Sequence, residues 1–347
     1  MSELLALEPY GPRNEQLFLQ EMIELSLHHL NGSSFYKRIW PGWSDADSVY
    51  DLPYVHVGLF KYLDLKTMGD SIRHERTLHS SSTSGIASKI ILDKKSAELQ
   101  SLSSSKILSD FLGNQKRPLC ILDSVKSLRC RGSVTARVAA AMSLKFLASR
   151  MYFLLADAED PESINEGELA AIFEQNEEVI VYGFSWMLWL AWGCQEFSQG
   201  LRQAMAGKTI HFVHSGGWKK LENLKVSREQ FDEALLAGLS KKSKVIDYYG
   251  LVEQVGIVYP LCEYGFRHVP VWADVIVRDS YTMEPLYDSE GQLQLLNTLA
   301  VGAPYHSVLT EDLGKVVSGA CPCGRSGKRF EMVGRIPKAE LRGCANV

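Results

Sequence analysis

Apolar residues recur at helical spacing between residues 14 and 30 (Leu17, Leu19, Met22, Ile23, Leu25 and Leu27), which predicts an amphipathic helix. Further along, short unbroken apolar runs alternate with longer mixed stretches. The runs at 90–92, 119–122, 179–184, 209–213 and 245–248 predict buried strands. The stretches 97–112 and 136–149, and the aromatic segment from Trp186, predict helices, while 41–53 reads as loop. Strands alternating with helices predict parallel sheets with helices packed on them. From about residue 265 the texture changes, and 271–277, 292–296 and 315–317 predict strands separated by turn residues. The expected fold is therefore α/β. A large core over 1–265 carries parallel-rich sheets flanked by helices, and a small β-rich subdomain and tail occupy 266–347.

Composition narrows the function classes. The chain has 347 residues, 46% hydrophobic and 22% charged, with a formal net charge of -4. Lysine and arginine form no track longer than the group Lys241, Lys242 and Lys244, so no nucleic-acid partner is expected. The most apolar stretch, 179–192, is shorter than the roughly 20 residues that cross a bilayer, so no membrane span is expected. The N-terminus lacks a basic start followed by an apolar run. The expected location is cytoplasmic, with seven reduced cysteines, some of them candidate metal ligands.

The densest polar loop is His79-Ser80-Ser81-Ser82-Thr83-Ser84-Gly85, followed by Lys89 and an apolar strand. Hydroxyls, backbone amides, one glycine and one lysine in a short span can hold a polyphosphate. Taken alone, the same residues also make an ordinary Ser-rich surface loop. Four more segments follow in order: His214-Ser215-Gly216-Gly217-Trp218, Tyr248-Tyr249-Gly250-Leu251-Val252-Glu253, Thr310-Glu311-Asp312 and Gly334-Arg335.

Together these segments resemble the motifs of the adenylate-forming superfamily, in family order. The resemblance implies that Thr83, Ser84 and Lys89 serve the phosphates in catalysis, with Ser81, Ser82 and Gly85 completing the loop. It implies that His214, Gly216 and Gly217 approach the base, that Tyr248, Tyr249 and Gly250 frame the adenine, and that Glu253 helps hold magnesium. Asp312 and Arg335 would take the ribose. The chain departs from the pattern at Ser82 (glycine expected), Val252 (threonine) and Glu311 (glycine).

Other strings narrow the likeness: Leu92-Asp93-Lys94-Lys95, Gly216 through Glu222, Cys321-Pro322-Cys323-Gly324-Arg325, and Gly334-Arg335 with Glu340 through Cys344. They resemble the acyl-protein synthetase family of bacterial luminescence systems, nearly end to end. That resemblance implies ATP and magnesium as cofactors and a fatty or related apolar carboxylic acid as substrate. It implies an acyl-AMP intermediate and acyl transfer to Cys344, with an acyl reductase or carrier protein as partner. Cys344 also reads as a chance terminal cysteine. Two other functions stay open: an acyl-CoA ligase of the phenylacetate type, and a non-catalytic acyl- or nucleotide-binding module.

Two further features carry chemistry. Cys262, His268, Cys321 and Cys323 make a donor set suited to structural zinc, or four unrelated residues. The aromatic segment 182–192, with Phe184 and Trp186, and the nearby Trp218, reads as an acid-pocket wall or as a helix packed into the core.

Overall fold

The computed structural model describes residues 3–80, 86–129, 134–218, 223–254 and 256–336. The N-terminal helix spans Glu15–Gly32, and the Asn14 side chain caps it by accepting from the Leu17 amide. Its apolar face buries Phe18, Met22 and Leu30. The helix Lys94–Leu112 starts at Asp93, whose carboxylate accepts from the Ser96 amide.

Three sheets organise the described residues. The first has six strands in the order Tyr259–Pro260, Lys244–Tyr249, Thr209–Ser215, Glu178–Phe184, Arg117–Ile121 and Ala148–Phe153. All its pairings are parallel except that of the edge strand Tyr259–Pro260. The inner strands Arg117–Ile121, Glu178–Phe184 and Thr209–Ser215 are buried along nearly their whole length, as central strands of a parallel sheet are. The second sheet is mostly antiparallel, ordered Arg267–His268, Arg329–Arg335, Ser307–Val317, Gly291–Asn297, Ala273–Arg278 and Pro285–Leu286. The short strand Val55–His56 joins it in parallel, pairing Val55 with Val308 and His56 with Leu309. The third sheet pairs Lys89–Asp93, His74–His79 and Val134–Thr135. Between 259 and 336 every regular element is a strand.

Two expectations change. The helix placed at 136–149 ends at Ser143, and the chain becomes the strand Ala148–Phe153. That strand sits at a sheet edge with Ser149 and Arg150 exposed, so it carries no apolar run to announce it. The aromatic segment makes one α-turn, Ser185–Leu188, then widens into a π-turn over Trp189–Gly193. A side chain at Gly193 would lie 2.7 Å from the Trp189 ring, so only glycine lets the wide turn close. No helix among the described residues is long and apolar enough to cross a membrane.

Candidate active site

The parallel strands Glu178–Phe184, Thr209–Ser215 and Lys244–Tyr249 all end on one side of the first sheet, where the chain turns. Ligands of open α/β sheets collect at such carboxyl ends. A cavity of about 1310 Å³ lies there, closed on the far side by the strands Ser307–Val317 and Arg329–Arg335. That is more than the 300–1,000 Å³ of an ordinary small-molecule pocket.

Most of the motif residues expected from the sequence line this cavity. They include His214, Gly216, Gly217, Tyr248, Tyr249, Gly250, Glu253, Asp312 and Arg335. Ser80 and Ser88, at either side of the Ser-rich segment 81–85, line it too. Ser81, Ser82, Thr83, Ser84, Gly85 and Cys344 lie outside the described residues.

Asp312 is the best-fixed polar group. The Tyr249 hydroxyl donates to its Oδ2 at 2.8 Å, and Arg335 Nε donates to its Oδ1 at 2.9 Å. Burial, and then the Asp312 charge, raise the Tyr249 phenol well above its ordinary pKa, so it stays a donor. The Thr310 hydroxyl donates to Leu293 O, and its oxygen accepts from the Asp312 amide. These bonds hold the strand where its register shifts, between Leu313 and Gly314. The Tyr249 ring stacks on Tyr259, so one face rests on the protein while the residue also lines the cavity.

Glu253 is 4% exposed and accepts a hydrogen bond from Ser88. Burial pushes its carboxyl above the usual range, as expected of a charge taken from water with little compensation. The next residue bolts the turn down. The Gln254 amide group donates to Leu295 O and Tyr305 O, and its oxygen accepts from Asn297. Gly256 has φ +85°, and a side chain there would collide with Gln100, with 2.4 Å to its Cβ.

On the opposite wall, His214 Nδ1 is 2.9 Å from Ser185 Oγ, and that hydroxyl donates to Gly216 O. The serine hydrogen is thus committed, so His214 Nδ1–H donates and Nε2 is left a bare, buried acceptor. Burial lowers the His214 pKa to about 4. Below it lies Asp247, which the motif reading missed. Burial alone would raise its carboxyl, but Arg267 at 2.6 Å, with His214 and Arg228, holds it below the ordinary range. Strand alternation was the available signal, because Asp247 and Tyr249 share a face of Lys244–Tyr249.

Two expected residues, Trp186 and Lys89, differ in placement. Phe184 and Trp218 line the cavity. Trp186 does not, and packs half-buried against the core around Met187 and Leu188. Lys89 turns away and donates to Asp64 at 2.9 Å. Lys61, not expected from the sequence, lines the cavity between Val57 and the Glu311 side chain. The apolar wall includes Leu78, Leu92, Ile257 and Val258, and the exposed Ile86, Leu128 and Met142 border it.

Outside the cavity, Cys262, His268, Cys321 and Cys323 converge, their ligand atoms all within 4.8 Å of one another. The Cys262–Cys321 sulfur separation is 3.9 Å, and Cys323 Sγ is 3.2 Å from His268 Nε2. A tetrahedral zinc with bonds of about 2.3 Å requires sulfurs roughly 3.8 Å apart, so the set fits that ion. The cysteines sit on two tight turns, each with a glycine at positive φ three residues after its first cysteine: Cys262 before Gly265, and Cys321 with Cys323 before Gly324. None of the four lines the cavity.

A family model described as acyl-protein synthetase, LuxE, matches residues 14–347. The long-chain-fatty-acid–luciferin-component ligase of Vibrio harveyi is 24% identical over 303 residues, covering 86% of this chain and 78% of that protein. The ligase of the same name from Aliivibrio fischeri is 27% identical over 155 residues, covering 44% of this chain and only 40% of that one. Among solved structures, 2-hydroxyisobutyryl-CoA ligase in complex with 2-HIB-AMP and CoA matches with a TM-score of 0.67 at 14% identity, over 95% of this chain and 70% of that one. At that identity the likeness is one of fold.

Proposed function

Since the chain belongs to the LuxE acyl-protein synthetase family, and so to the acyl-adenylate-forming ligases, we propose that it joins a fatty or related apolar acid to AMP and passes the acyl group to a thiol. The observation that carries this reading is the convergence of Tyr249, Asp312, Arg335 and Glu253 with the glycine turn on one cavity.

In the first half-reaction a carboxylate oxygen of the acid forms a bond to the α-phosphorus of ATP. The α-phosphate to pyrophosphate bond breaks, and its electron pair leaves with pyrophosphate. The protein's work is placement and charge neutralisation. Asp312, held by Tyr249 and Arg335, accepts from the ribose hydroxyls. Tyr249 packs on the adenine, while the Asp247 carboxylate offers acceptors on the base side. Magnesium, when bound, supplies positive charge to the phosphates. Glu253 suits it as a ligand, being a buried carboxylate that faces the cavity and has a hydroxyl partner in Ser88. The Leu78, Leu92, Ile257 and Val258 wall takes the acyl group.

In the second half-reaction a thiolate attacks the acyl carbonyl and AMP leaves. Cys344 or a partner's cysteine is the acceptor, and an acyl reductase or a carrier protein takes the product onward. Cys262, His268, Cys321 and Cys323 would hold a structural zinc that ties the Cys262 turn to the end of the second sheet.

ATP–pyrophosphate exchange with a panel of acids tests the first step, and exchange should be fastest with long aliphatic acids. Intact-mass measurement after reaction tests the second. One acyl adduct should form, and Cys344→Ala should lack it. An unchanged adduct in that variant would remove Cys344 from the reading.

A further inference from the structure

We propose that Lys61 is a catalytic residue of this site, the cation that contacts the polyphosphate of ATP as the α-phosphate bond breaks. The inference rests on the adenylation reading above and deepens it.

Attack of a carboxylate on a polyphosphate brings two anions together, so a fixed positive charge at that point speeds the step. The lysine placed there by sequence order, Lys89, spends its charge on Asp64, away from the cavity. Lys61 stands where that charge is needed. It ends the short turn Val57–Lys61, which lies against the Thr310–Asp312 stretch because Val55 and His56 pair with Val308 and Leu309. Its side chain lines the cavity together with Ser88, Glu253, Thr310 and Glu311. Its charge is among those acting on Glu253, the magnesium-side carboxylate.

Glu311, which replaces the glycine of the family motif, accounts for the position. Its carboxylate is 3.9 Å from Lys61 Nζ and 3.8 Å from Arg335. Both separations exceed hydrogen-bond length, so these are ion pairs that hold the cations near without consuming their N–H donors. The ammonium group is therefore tethered over the ribose-binding stretch and still has hydrogens to give to phosphate oxygens. In the step itself Lys61 keeps its proton. The carboxylate lone pair makes the new oxygen–phosphorus bond, and the departing pair leaves on pyrophosphate, whose growing charge Lys61 offsets.

The test compares Lys61→Met, which keeps the aliphatic stem, and Lys61→Arg with the full-length wild-type chain. The readouts are melting temperature, binding of MgATP and of AMP by calorimetry, and pyrophosphate exchange with an acid the wild type uses. The expected result is a loss of about 10-fold in MgATP affinity for Lys61→Met, with AMP affinity within about twofold of wild type. Exchange kcat should fall on the order of 100-fold, with partial recovery in Lys61→Arg. A structural role would instead weaken ATP and AMP together, and that result overturns the proposal. So does Lys61→Met at wild-type kcat, or a kcat collapse in Lys89→Met with none in Lys61→Met. If the wild-type chain exchanges pyrophosphate with no acid, the adenylation reading fails, and the role of Lys61 fails with it.

Discussion

Tyr249 and Asp312 come from different sheets and meet in a 2.8 Å hydrogen bond, tyrosine donating. The bond fixes a carboxylate whose other oxygen accepts from Arg335, so both oxygens of Asp312 are oriented by the protein while each keeps a further lone pair. Tyr249→Phe keeps the ring and removes the donor. A neutral-to-charged hydrogen bond of about 1–2 kcal/mol is lost, so the KM for ATP should rise about 5- to 30-fold with kcat nearly intact. Asp312→Asn should be worse, because Arg335 then loses the carboxylate it hydrogen-bonds and keeps only the more distant Glu311. Steady-state kinetics at saturating acid decide this, and an unchanged KM for ATP in Tyr249→Phe would show that the tyrosine does not orient the carboxylate.

The two glycines of the His214–Trp218 turn separate backbone strain from ligand clearance. Gly216 has φ +78°, so alanine there costs about 1 kcal/mol of stability through the left-handed backbone alone. Gly217 has no such φ, and a side chain there would meet nothing within 4 Å. Gly217→Ala should therefore unfold within about 0.5 kcal/mol of wild type. If the turn lies against the base, it should still weaken ATP binding about 10-fold, because a methyl then occupies the ligand's space. Thermal melts and nucleotide titrations on the same samples check the pair, and equal ATP affinity in both variants and wild type would move the base elsewhere.

How much of this was legible in the sequence follows from which interactions are local. The apolar runs found the four inner parallel strands and missed the edge strand Ala148–Phe153, which has no such run. Tyr249, Glu253 and Asp312 were singled out by the resemblance of their segments to adenylate-forming motifs, and all three line the cavity. Lys89 was placed in the site by its order after the Ser-rich loop, although alternation argues otherwise. Ser88 faces Glu253, so its neighbour in an extended chain faces away, and Lys89 finds Asp64 instead. Lys61 was invisible for the opposite reason. Its position depends on a two-residue strand pairing across the chain to Val308 and Leu309, and such short non-local pairings leave no period to read.

The four-residue donor cluster predicts one zinc per chain by elemental analysis of protein purified without chelator. Cys321→Ser and Cys323→Ser should each lose it and lower the melting temperature by on the order of 5–10 °C. Because none of the ligands lines the cavity, pyrophosphate exchange well below the melt should change little. Zinc-free wild type with the same melting temperature as zinc-loaded protein would rule out the structural role.

Acid should unfold the chain through a buried histidine pair that does not line the cavity. His29 and His306 stack at 4.6 Å, with His28, Tyr36, Ser26 and Thr67 around them. The Ser26 hydroxyl donates to Met22 O, so His306 Nε2–H donates to Ser26, and His306 Nδ1 is a buried acceptor with no partner. His29 Nε2–H donates to Ala300 O, and its Nδ1 accepts from Thr67. Burial leads the shift in both, with the neighbouring histidine charges adding to it, and lowers His306 to about 3 and His29 well below its ordinary value. In the unfolded chain both titrate near 6.5. The folded state therefore binds fewer protons, so stability is full above pH 6.5 and falls as pH drops below it. Each histidine contributes a slope of about 1.4 kcal/mol per pH unit until its folded pKa is reached. Urea midpoints measured from pH 7 to pH 5 should decline steeply. His306→Gln, less stable at pH 7, should decline less steeply by one proton's worth. An identical slope in that variant would mean the pair does not govern the acid response.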